Sequence, residues 1–131
     1  MPRRRSRTLT EVELEFMQIV WQEGEVNAEE LLDALHSQGR NVSDGTVRKI
    51  LLILIHKGYL MRERTGRGYT YRAKVPEARA KRSLVLDLLK RAFGGSGALM
   101  VAALLGTRMV TEEDLAEIKQ VIAEHEGKEH E

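Results

Sequence analysis

Apolar positions along the chain change period twice. Between Leu9 and Ile55 they recur three and four residues apart; from Tyr59 to Lys74 they alternate; from Leu84 onward the helical spacing returns. Thr10 and Glu13 have the spacing of a capping box, with Leu9 and Leu14 placed as a hydrophobic staple, so a first helix starts there. Leu14, Phe16, Met17, Val20 and Trp21 give it a broad core-facing side, and Gly24 ends it. Glu25–Val26 is expected to add a short strand to a later hairpin. Asn27 and Glu30 repeat the capping pattern for a second helix reaching about Gln38, with Leu31, Leu32 and Leu35 inward.

Ser43–Gly58 organises the rest. Ser43 is a good N-cap, Asp44 puts negative charge at the positive end of the helix dipole, and Gly58 sits where a helix closes in a left-handed residue. Val47, Ile50, Leu51, Leu54 and Ile55 form the buried stripe; Arg48 and Lys49 fall off it. Gly39–Val42 is the turn that joins this helix to the one before, a helix-turn-helix arrangement. Two alternating stretches follow, Tyr59–Arg64 and Tyr69–Lys74, around a glycine turn at Thr65–Gly68. A capped helix followed by a basic hairpin is the outline of a winged helix, which lays a helix in the DNA major groove and rests the hairpin beside it.

Beyond Val75–Pro76 the pattern is helical again. Pro76 suits a helix start, and Glu77–Phe93 carries Leu84, Val85, Leu88, Leu89 and Phe93 on one side. Gly94–Gly95 breaks it. Ser96 can cap a short, nearly all-apolar helix over Gly97–Leu105, and Thr111 with Asp114 starts a last helix lined by Leu115, Ile118, Val121 and Ile122. His125–Glu131 is expected to fray. The expected organisation is a basic arm over 1–8, a winged helix-turn-helix domain over 9–75 and a three-helix domain over 76–131, mainly α with a small β-hairpin. The last domain is too short to bury itself well, and a second copy of the chain is the economical cover.

Charge sharpens this picture. The net charge of +1 hides two blocks of opposite sign. Glu11 to Asp33 holds only acidic charges, whereas Arg40 to Lys74 carries nine basic residues against Asp44 and Glu63. The positive block coincides with the helix and hairpin that a winged helix presents to DNA. Asp44, Val47, Arg48 and Lys49 are therefore expected base contacts, with packing into the core as the other role open to Val47. Arg40, Ser43, Thr46, Lys57 and Arg67 are expected backbone contacts. The arm Met1–Arg7 suits phosphates or a minor groove, or serves as a solubilising tail. A chain without cysteine has no disulfide, thiolate metal site or thiol catalysis. His36 and His56 are isolated, and no nucleophile–base set, carboxylate pair or ligand cluster has a workable spacing, so neither an enzyme nor a metal or cofactor site is expected. No apolar run approaches the ~20 residues of a membrane span, and a cytoplasmic location fits. A competing function is a winged-helix protein-interaction module working through its acidic first half.

LTEVELEFMQIVW at the start, the Val47-to-Gly58 pattern ending in HKGYL, the hairpin RGYTYRA, and LLKRAFGGS with TEEDLAEIKQVI resemble the penicillinase-repressor and methicillin-resistance repressor (BlaI/MecI) family. The resemblance runs from about Leu9 to His125. It implies a homodimeric winged-helix repressor on a palindromic operator with TACA-type half-sites, in some members inactivated by a protease under a β-lactam-sensing membrane protein. Leu84, Leu88, Leu99, Met100, Leu104, Leu115, Ile118 and Ile122 are the expected dimer interface. The Asn-Phe cleavage position of the family falls at Ala103–Leu104. Ile53 and Lys49 stand where the family usually has a basic residue and a threonine, which implies a different base preference. The cysteine cluster of copper-responsive relatives is absent.

Overall fold

In chain order, the computed structural model, which describes residues 8–129, has α1 (Glu11–Glu23), β1 (Glu25–Val26), α2 (Ala28–Ser37), α3 (Asp44–His56), β2 (Leu60–Thr65), β3 (Gly68–Ala73), α4 (Glu77–Phe93), α5 (Gly97–Leu105) and α6 (Glu112–Glu129). The basic arm expected at Met1–Arg7 lies outside the described residues. Local chemistry places most of these boundaries. Thr10 and Asn27 make capping boxes with Glu13 and Glu30, each satisfying two free N–H groups. α2 and α3 end alike. Gly39 and Gly58 take φ of +86° and +88°, and the N–H groups of Arg40 and Tyr59 reach back to the carbonyls of Leu35 and Leu54. That is the Schellman closure, and a residue with a Cβ would be strained at either glycine.

β1 pairs with β3, and β3 with β2, all antiparallel, in the order β1-β3-β2. The expected short strand at Glu25–Val26 is thus present, opposite Arg72 and Tyr71. The hairpin turns through Gly66–Arg67, with Gly66 at φ +62°, the sign a two-residue turn demands at its first central position.

The described chain forms two compact units, one ending at Asp87 and one beginning at Leu88. The first holds the core: Phe16, Met17 and Val20 of α1, Leu31 and Leu35 of α2, Val47, Leu51 and Leu54 of α3, and Leu60 and Tyr71 of the sheet. The division falls inside α4, not at Val75–Pro76, because the first turns of α4 belong to this core. Ala80 is buried and Leu84 packs against the cluster. Trp21 is half-buried; its indole N–H donates to the Val75 carbonyl at 3.0 Å and fastens the entry to α4.

The second unit comprises the end of α4, α5 and α6. Ser96 caps α5, and Thr111 and Asp114 exchange hydrogen bonds at the start of α6, as their spacing predicts. α6 continues to Glu129 instead of fraying at His125. None of its described side chains is buried within this chain.

Candidate nucleic-acid interface

α3 follows the α2–α3 turn with its N-terminus exposed. Ser43 Oγ accepts from the Thr46 N–H at 3.1 Å and lies 3.0 Å from Thr46 Oγ1, so the two hydroxyls are pre-set at the helix start. Arg48 Nε donates to Asp44 Oδ2 at 2.8 Å. The pair is well exposed, and Asp44 holds the Arg48 guanidinium protonated even above its ordinary range. An exposed i,i+4 pair contributes little to stability, so either partner is free to exchange for a base edge or phosphate. Lys49 is exposed beside it.

The wing lies across a cleft of about 380 Å³ from this helix. Arg48 lines one wall, the first residues of α2 a second, and Thr65, Arg67 and Tyr69 of the hairpin the third. Arg67, at the tip, is exposed. Arg62 stacks its guanidinium 4.1 Å above the Tyr69 ring, across the hairpin. That contact was not anticipated. Its signal lay in the register: Arg64 faces Tyr69, which makes Arg62 and Tyr69 diagonal neighbours on one sheet face.

Two expected contacts are corrected by burial. Val47 has no exposed surface: it is a core residue of α3 and no base contact. Lys57, expected on a phosphate, is 7% exposed, with its ammonium 2.7 Å from Glu13 and 3.1 Å from the Thr8 carbonyl. A cation so enclosed is committed to its partner. Arg40 differs in degree. Its guanidinium grips Glu15 through two bonds of 2.7 Å, yet about a third of the side chain stays exposed. The hydrogen bonds from Arg40 hold the Glu15 carboxyl below its ordinary value. Glu13 and Glu15, both in α1, thereby clamp the residues that flank α3 on either side. Asp44, Arg48, Lys49, Ser43, Thr46 and Arg67 are all exposed, and Arg48 and Arg67 line the same cleft.

Residues 9–124 match the penicillinase-repressor family. The chain belongs to that family. The penicillinase repressor of Bacillus licheniformis is 28% identical over 123 residues, covering 94% of this chain and 95% of that protein. A 16.5 kDa protein from the ptsI 3′ region of Latilactobacillus sakei is 32% identical over 114 residues, 87% of this chain and 77% of its own length. Among solved structures, the DNA-binding domain of the repressor BlaI superposes with a TM-score of 0.50 at 28% identity, covering 59% of this chain and 93% of that domain. For this family member the winged-helix architecture is therefore supported both by its own elements and by a relative of known structure. No single described helix is long and apolar enough to cross a membrane.

Proposed function

We propose that this chain is a sequence-specific DNA-binding repressor that works as a homodimer on a two-fold symmetric operator. The observation that carries the DNA reading is the cleft shared by α3 and the wing, lined by both Arg48 and Arg67. Arg48 and Lys49 read base edges, with Asp44 orienting Arg48 or accepting from a cytosine amino group. Ser43, Thr46 and Arg67 contact the backbone; Arg40 can do so only by loosening Glu15.

Dimerisation rests on the second unit. Leu99, Leu104 and Ile122 are each close to half exposed or more, and Leu88 joins them, while Met100, Leu115 and Ile118 are only half-buried. The end of α4, α5 and α6 together bury none of their described side chains and have the composition of an interface lacking its other half. Release from DNA then follows from separating the pair. Ala103–Leu104 lies inside α5, so a regulatory protease acting there needs local unwinding first.

Selecting bound fragments from a random duplex pool tests this reading. The expected product is a palindrome whose half-sites are centred about one DNA turn apart, ~34–36 Å. No enrichment, or enrichment of an asymmetric single site, overturns it.

A further inference from the structure

A second cleft, of about 370 Å³, opens in the first unit where the end of α3, the base of the wing and the first turns of α4 meet. Lys57, Tyr59, Lys74, Arg79 and Ser83 line it, and no carboxylate does. Two of these walls are fixed parts of the fold. Lys57 is buried and already balanced by Glu13 at 2.7 Å. Tyr59 is buried as well; desolvation raises its hydroxyl pKa, against a hydrogen bond with Ser83 and with a smaller push from the Glu13 charge that Lys57 pairs, so the phenol stays neutral. The Tyr59 carbonyl accepts the N–H of Lys74 at 2.8 Å, which pins the end of the hairpin at the cleft. Ala80, buried in the core, pins α4 beside it.

Lys74 and Arg79 are different. They come from two separate elements, both are exposed, and neither joins an ion pair among the described residues. Two uncompensated cations on a shared concavity, backed by a neutral phenol and a serine hydroxyl, are a complement for negative charge and for oxygen acceptors. A cleft near the lower end of the ~300–1,000 Å³ range of small-molecule sites suits a compact ligand.

We propose that this cleft binds a small divalent oxyanion, of the phosphate or dicarboxylate class, between Lys74 and Arg79. Arg79 supplies a planar fork that matches two oxygens of such a group, and Lys74 a point charge from the other side. A monovalent anion leaves one cation unmatched. The site lies away from the wing tip but touches the end of α3, so an occupant that binds the free and DNA-bound forms unequally shifts DNA affinity by that difference. The same chemistry could come from a phosphodiester of bound DNA, and the two sources are separable.

The experiment is an amide-resolved NMR titration of the full-length protein, with small anions in the absence of DNA and, as a separate arm, with duplex DNA. Inorganic phosphate and succinate are the probes, at constant ionic strength. The expected result is saturable shifts at Gly58, Lys74, Val75 and Arg79. Lys74→Ala/Arg79→Ala weakens binding about tenfold or more, as loss of charge-assisted hydrogen bonds predicts, whereas Lys119→Ala, a charge removal outside the lining of the cleft, changes nothing. Shifts that never saturate, or an equal loss in Lys119→Ala, overturn the proposal. So does a half-site duplex that moves these four amides when neither small anion does, since the cleft then serves the DNA backbone. Because the small-anion arms contain no DNA, their failure leaves the repressor reading untouched, and the reverse also holds.

Discussion

Lys57 closes α3 with its ammonium 2.7 Å from Glu13, both side chains almost wholly buried. A buried ion pair offsets its own desolvation at best, but removing one partner strands the other. Lys57→Met is therefore expected to destabilise the fold by about 3–5 kcal/mol in urea unfolding. Adding Glu13→Leu is expected to recover much of that loss; if it does not, the pair is more than a neutralised couple. Val47 makes the opposite point. Val47→Ala should cost about 2 kcal/mol of stability from lost burial and a cavity, with no selective change at any one base pair. Glu15 adds a pH dependence. Arg40 lowers its folded pKa below the ordinary 4.5, so its contribution is complete above that value and lost as the pH falls through the lower folded one. Glu15→Gln should flatten the acid side of a stability–pH curve and leave the neutral side with the same slope.

At the scale of elements, the wing and α3 have separable duties. Arg67, at the exposed tip, meets phosphate in the proposed complex. Arg67→Ala should weaken all duplexes alike and reduce the log–log salt slope by about one unit. Arg48→Ala should instead relax preference at one base pair, at about 1–3 kcal/mol. If both variants keep full specific affinity in gel shifts across a salt series, the DNA face has been put on the wrong elements. α4 bears on where the first unit can be cut. Ala80 and Leu84 pack on the winged-helix core, so a chain ending at Pro76 should lose stability that a chain ending at Asp87 retains. Circular dichroism melts of the two fragments decide the matter; equal midpoints would place the start of α4 outside the folding unit.

For the whole molecule, the proposed operator binding depends on holding two winged helices together. Each bound half-site raises the effective concentration of the other, which a monomer lacks. Leu104, 48% exposed on α5, belongs to the proposed shared face. Leu104→Glu would bury an unpaired charge there, so it should yield a monomer by light scattering with a fold intact by circular dichroism and most specific affinity gone. A variant that remains dimeric displaces the interface from α5.

Much of this architecture is written in local signals. The capping boxes at Thr10 and Asn27, the Ser43 cap, the glycines at 39, 58 and 66, and the switch from helical to alternating apolar spacing act within a few residues, so the chain alone states them. The winged helix, the basic face and the likeness to repressors follow from their order. Tertiary structure decided what those signals leave open. Periodicity puts Val47 on the buried stripe yet beside Arg48, and packing decides for the core; Lys57 reads as a free cation until packing shows it enclosed by Glu13, far away in sequence. The Arg40–Glu15 clamp, the Arg62–Tyr69 stack and the burial of Ala80 likewise depend on which elements meet. Helix caps and turns are governed by neighbours along the chain; burial and ion pairing are governed by neighbours in space, which periodicity can orient but cannot name.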